Sequence, residues 1–170
     1  MGIPNIITSL RLIIIPPFLY SYIFIPEYGE KIALALLVFS GVTDMLDGYI
    51  ARKFNQETKL GALLDPLADK MLLVTVLSVF AIKNKIGQWM LISMVIKEFI
   101  MILGAYMLYT DKGDVIEANI FGKVSTIIFY IASLFIMMGV EFGSLIMVVF
   151  ILLNILSLLI YFLRFISIKK

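Results

Sequence analysis

Six runs of mostly apolar residues follow one another along the 170-residue chain, at 6–25, 32–50, 60–82, 88–109, 122–140 and 143–163. Each approaches the roughly 20 residues that carry an α-helix across a hydrocarbon core. The breaks hold turn or charge signals: Pro26-Glu27-Tyr28-Gly29-Glu30-Lys31, then Arg52 to Lys59, Lys83-Asn84-Lys85, Asp111 to Glu117, and Glu141. Connections this short make neighbouring helices antiparallel. The run 143–163 reads as apolar around its whole circumference, as a lipid-embedded helix does. The first run does not read as a cleavable signal peptide, because it contains Pro16-Pro17 and no small-residue cleavage site follows. No internal repeat or soluble extension is visible. The pattern predicts an all-α integral membrane protein, a single domain over 1–170, with six transmembrane helices and a polar cavity facing the cytoplasm.

Composition agrees and removes much chemistry. The chain is 62% hydrophobic and 15% charged, with no cysteine and no histidine, which lies outside the range of soluble domains. A Ser-His-Asp triad, a thiolate nucleophile, a disulfide and a Cys/His zinc site are all excluded. A bound metal has to be a hard ion held by oxygen: magnesium, manganese or calcium. The net charge of +2 gives no case for a nucleic-acid partner. With the N-terminus inside, the inner helix ends hold Arg11, Arg52, Lys53, Lys59, Lys112, Lys123, Arg164, Lys169 and Lys170, and the outer ends Lys31, Lys83 and Lys85. Nine against three follows the positive-inside rule, so a multi-pass protein of the cell membrane with both termini cytoplasmic is expected. Lys70 and Lys97 fall within the expected spans.

An acidic residue at the centre of a membrane helix costs about 2.5–3.5 kcal/mol on insertion scales. Nevertheless Asp44, Asp47, Asp65 and Asp69 all fall in the second and third runs or at their inner ends. Twelve uncharged residues separate Lys31 from Asp44, and twelve separate Lys70 from Lys83. At 1.5 Å per residue each stretch is roughly 18 Å long, so in antiparallel helices both pairs reach a similar depth in the cytoplasmic half. Asp44 and Asp47 are three apart, Asp65 and Asp69 four apart, so each pair shares a helix face. Four carboxylates at one height repel strongly unless neutralised, which two divalent cations would achieve, and an all-oxygen shell suits magnesium. The plainer reading is helix-end carboxylates paired with Arg52, Lys53, Lys59 and Lys70.

Gly48 and Gly61 permit close approach, either of a ligand or of a neighbouring helix. Arg52, one turn after Gly48, suits a phosphate oxygen and equally an inner-face anchor. Pro66 frees a backbone carbonyl, which is tolerated where the backbone lines a polar cavity.

The stretch Asp44-Met-Leu-Asp47-Gly48-Tyr-Ile-Ala51-Arg52, eight residues, then Gly61-Ala-Leu-Leu-Asp65-Pro-Leu-Ala-Asp69 resembles the signature of the CDP-alcohol phosphotransferases. The pattern fixes four Asp, two Gly, an Ala and an Arg over 26 positions. The opening Pro4-Asn5-Ile-Ile-Thr8-Ser-Leu-Arg11 is also similar to that of family members, and Leu64 to Lys70 looks most like the phosphatidylglycerophosphate synthase branch. The resemblance implies transfer of a phosphatidyl group from CDP-diacylglycerol to an alcohol, with release of CMP. It assigns Asp44, Asp47 and Asp65 to one metal ion and Asp44, Asp65 and Asp69 to a second, either Mg2+ or Mn2+. It makes Asp69 also the base for the acceptor hydroxyl. Gly48, Arg52, Thr58 and Gly61, with Asn5, Thr8 and Arg11, match its nucleotide side, although Thr8 also reads as a helix N-cap. Family members are usually homodimers set among membrane lipids.

The branch points to glycerol 3-phosphate, a small phosphorylated alcohol, as the acceptor. Lys97, Lys123 and Arg164 are the cations left to receive its phosphate. The branch would have an Arg-Glu pair in the fourth span and Gly-Lys-x-Lys-Thr opening the fifth. Here stand Lys97-Glu98 and Gly122-Lys123-Val124-Ser125-Thr126. Lysine keeps the charge but loses bidentate geometry, and serine removes a charge. Lys97-Glu98 also reads as a structural ion pair, and Lys123 as an interfacial anchor. Phosphatidylglycerol (giving cardiolipin), serine or inositol phosphate are alternative acceptors. A small cation- or proton-coupled transporter is the rival outside enzymes, but its carboxylates would be spread between repeats rather than confined to 44–69.

Overall fold

The computed structural model describes the backbone of residues 3–54, 59–112 and 120–169, and the side chains of 12–43, 68–107 and 120–167. Six helices form, α1(Ile3–Phe24), α2(Gly29–Phe54), α3(Lys59–Ile82), α4(Gln88–Lys112), α5(Ile120–Met137) and α6(Phe142–Lys169), with no strand among the described residues. Three described stretches are long and apolar enough to cross a membrane: Gln88–Met107, Ile120–Met137 and Phe142–Ser167. Leu12–Phe24 is apolar but shorter. The helices group into two compact units, Met1–Ile82 and Lys83–Lys170.

In the first unit α1 packs against both α2 and α3. Its helix runs through Pro16 and Pro17, whose rings lie on the exposed side. Phe18 and Tyr22 face inward, and Tyr22 meets Phe80 of α3 edge-on, with ring centroids 5.9 Å apart. The α1–α2 turn closes tightly. Ile25 N–H donates to Ser21 O at 3.2 Å, and a Cβ at Gly29 would land on that same carbonyl oxygen, so glycine is required there. The expected break at 26–31 is therefore shorter, and Glu30 and Lys31 already belong to α2.

The second unit is built on α6, which packs against α5 along one stretch and α4 along another. Helix α5 ends at Met137 rather than 140, because Gly139 takes φ 74° and Val140 N–H donates back to Phe135 O at 2.9 Å. This is a Schellman turn, which glycine enters without steric cost. Gly143 then seats α6 on α5, where a Cβ would come within 2.6 Å of the Ile136 nitrogen. Lipid offers apolar side chains no hydrophobic gain on burial, so close packing of this kind holds the helices together. It also explains why Ile92, Val95, Phe99 and Ile102 of α4 remain exposed.

Candidate active site

The four aspartates belong to the first unit, Asp44 and Asp47 on α2 and Asp65 and Asp69 on α3. Asp69 is half-buried, beside fully buried Ala68. The side chains of Asp44, Asp47, Asp65, Asn5, Thr8, Arg11 and Arg52, and positions Gly48 and Gly61, lie outside the described residues, and Thr58 does so entirely. Tyr22 of α1 meets Phe80 of α3 near the C-terminal ends of both helices. Ala33, Leu37 and Ser40 are buried on α2, and Ala68, Leu72 and Val76 on α3.

Among the described residues the hydroxyl of Ser40, which is 0% exposed and one turn before position 44, has no hydrogen-bond partner. Thr43 and Ser78 bond to their own helices, at Phe39 O and Val74 O, while the Ser133 hydroxyl of α5 is, like that of Ser40, buried without a partner among the described residues.

In the second unit Lys97 and Glu98 are both buried and paired, with Lys97 Nζ 2.7 Å from Glu98 Oε1. Lys123 and Arg164 are exposed. Ser125, at the position where the related branch carries lysine, is buried and donates to Gly122 O at 2.8 Å. The sixth run is less uniform than the sequence suggested. Asn154 and Ser157, three residues apart, fall on the inward face of α6 and are 4% and 3% exposed. The Phe129–Phe150 contact and the Ile136–Gly143 approach fix the antiparallel register, which sets Ser125 opposite Asn154 and Gly122 opposite Ser157. Tyr161 donates to Met101 O at 3.4 Å, joining α6 to α4. Lys97, Glu98, Ser125, Ser133, Asn154 and Ser157 are the buried polar residues described in the second unit. Asn154 and Ser157 were missed in the sequence, although two polar residues at helical spacing inside an apolar run were the signal.

The family model for CDP-alcohol phosphatidyltransferase matches residues 1–166. The chain belongs to this family. A Mycobacterium tuberculosis protein, provisionally named a cardiolipin synthase, is 32% identical over 139 residues, 82% of this chain and 66% of its own length. The chain thus spans slightly under two thirds of that relative. Bacillus subtilis and Aquifex aeolicus proteins named CDP-diacylglycerol--glycerol-3-phosphate 3-phosphatidyltransferase are 34% and 35% identical, covering 74% and 75% of this chain and 70% of each relative. CDP-alcohol phosphatidyltransferases are membrane enzymes and generally metal-dependent.

Proposed function

We propose that this protein transfers a phosphatidyl group from CDP-diacylglycerol to glycerol 3-phosphate, giving phosphatidylglycerophosphate and CMP. The aspartate spacing over 44–69, on two helices that both pack against α1, carries the reading. The names of the Bacillus and Aquifex relatives favour the acceptor.

The donor set fits a hard divalent metal. It is all oxygen, the chemistry a hard divalent ion takes. Asp44, Asp47, Asp65 and Asp69 would hold two Mg2+ ions, which when bound offset the charge of the donor diphosphate. Gly48, Arg52, Thr58 and Gly61 would hold the nucleotide, with Asn5, Thr8 and Arg11 on the α1 side. Asp69 takes the proton from the acceptor hydroxyl. The hydroxyl oxygen bonds to the phosphatidyl phosphorus, and the bond to the CMP oxygen breaks. Lys97, Lys123 and Arg164 would receive the acceptor phosphate. The protein would sit in the cell membrane as a homodimer among lipids, with six spans and both termini cytoplasmic.

A second reading has phosphatidylglycerol as the acceptor and cardiolipin as the product. It is favoured by the name of the mycobacterial relative and by the neutralisation of Lys97 by Glu98. Purified protein supplied with CDP-diacylglycerol and a panel of labelled acceptors decides between them. CMP release that depends on glycerol 3-phosphate is expected. Release with phosphatidylglycerol alone replaces the first reading by the second.

A further inference from the structure

Between α4 and α6, within the second unit, lies an open apolar groove of about 390 Å³. Its floor is the contact of Gly104 with Tyr161, where a Cβ at 104 would come within 3.0 Å of the tyrosine ring. Glycine there lets the ring lie against α4, and the Tyr161 hydroxyl is spent on Met101 O. Leu103 and Met107 form one wall, Leu159 and Phe162 the other, and all four are exposed. Both helices have stretches long enough to cross a bilayer, Gln88–Met107 and Phe142–Ser167, and the groove lies near the C-terminal end of each. An apolar recess in that setting offers water nothing to bond, so hydrocarbon fills it.

The dimensions decide which hydrocarbon. The lining runs from Ile100 to Met107 and from Leu158 to Phe165, about 11 Å along the helix axes. Spread over that length, 390 Å³ leaves a cross-section of roughly 35 Å². A helix about 10 Å across takes roughly 80 Å², so a helix of a second copy does not enter between the walls. One extended acyl chain does. The two ends of the groove differ as the ends of a lipid do. Arg164, exposed and placed in sequence between the lining residues Phe162 and Phe165, marks the C-terminal end. Ile96 and Ile155, beyond the other end, are exposed and apolar. A guanidinium on a long flexible stem suits a phosphate at the membrane surface. No carboxylate lines the groove, so it can hold a lipid but has no group to place a metal or take a proton.

We infer that the α4–α6 groove is a binding site for a resident anionic phospholipid, with one acyl chain between Leu103 and Leu159 and the phosphate on Arg164. The inference goes beyond the proposed reaction and does not depend on the acceptor. It gives Arg164 a lipid phosphate as partner and leaves Lys97 and Lys123 for the acceptor. A lipid so placed would complete the packing between α4 and α6, which in a bilayer is what holds helices together.

The probe is phosphatidic acid carrying a diazirine on one acyl chain, in phosphatidylcholine vesicles that hold the protein and no CDP-diacylglycerol. Phosphatidylcholine with the same diazirine is the control, and labelled residues are mapped by mass spectrometry after illumination. Phosphatidic acid should label 100–107 and 158–165 about fivefold more than the control, the preference that one basic side chain near an anionic headgroup gives. That preference should vanish in Arg164→Gln. Leu159→Trp fills the groove from an exposed position and should reduce groove labelling by both lipids, while labelling at Ile92, Val95 and Phe99 stays the same. Leu103→Trp, from the opposite wall, takes its place if Leu159→Trp loses helicity. Groove labelling in wild type no stronger than at Ile92, Val95 and Phe99 shows only passing boundary lipid and overturns the inference. Equal labelling by phosphatidic acid and the control does so too. Stronger displacement by unlabelled CDP-diacylglycerol than by unlabelled phosphatidic acid gives the groove to the donor and overturns residence. Labelling that appears only when dilution separates copies of the chain gives it to a second copy instead. None of these readouts measures CMP release, so each outcome leaves the proposed reaction to its own test.

Discussion

Replacing Glu98 by glutamine would test whether the buried pair on α4 is an energetic unit. Lys97 and Glu98 are 5% and 9% exposed, and their charged atoms are 2.7 Å apart. Removing one partner of a buried pair leaves an uncompensated charge, at a cost of about 3–5 kcal/mol. Glutamine keeps an oxygen that still accepts a hydrogen bond, returning about 1 kcal/mol. The net loss for Glu98→Gln should therefore be about 2–4 kcal/mol. Removing both charges together in Lys97→Met/Glu98→Leu should stay within about 1 kcal/mol of wild type, since neither ion then has to be desolvated. Unfolding in micelles, followed by helical circular dichroism, reads both values. A double variant as unstable as the single one, or a single variant less than about 0.5 kcal/mol from wild type, would refute the argument. Acceptor kinetics on the double variant add a separate answer. Full stability with a raised glycerol 3-phosphate KM makes Lys97 a substrate contact as well as an ion-pair partner.

Asn at any of positions 44, 47, 65 or 69 should abolish turnover while leaving helicity intact, and EDTA should silence wild type until a divalent ion is restored. Full activity of metal-free protein would end the two-metal proposal. A single cysteine at Asn84, in a chain that has none, should be labelled only from outside sealed vesicles. Lys123→Gln should raise the glycerol 3-phosphate KM roughly tenfold or more, as expected for one lost charge-assisted contact, and leave the CDP-diacylglycerol KM alone. Gly143→Ala should destabilise by about 1–3 kcal/mol through overpacking against the Ile136 backbone, with KM values unchanged in the protein that remains folded.

Helix number and approximate boundaries were legible because each apolar run is bounded by charge, proline or glycine, which a membrane helix tolerates poorly. Details set by local backbone geometry were less so. Gly139 falls inside the fifth apolar run, but its positive φ stops the helix at Met137, three residues before the expected end. The aspartate pairs announced themselves through charge in an apolar setting. Asn154 and Ser157 carry no charge, and their importance depends on which side of α6 they occupy. Register supplies that information, and it comes from contacts such as Phe129–Phe150 rather than from composition. The alternatives for Lys97 were both visible in the sequence. The ion pair is present.

The placement of that pair bears on how the protein is made. Within the second unit α4 packs against α6, and the Tyr161–Met101 bond joins residues 60 apart. At synthesis rates of about 5–20 residues per second, α4 waits about 3–12 s before that part of α6 leaves the ribosome. During that interval a lone lysine in the bilayer would be expensive. Lys97 has its counter-ion at the very next residue, so the charge is neutralised within α4 itself. The helix can enter the membrane and persist there before its packing partner exists. A counter-ion placed on α6 would give the same finished contact, but the nascent α4 would carry an unpaired charge through the whole delay.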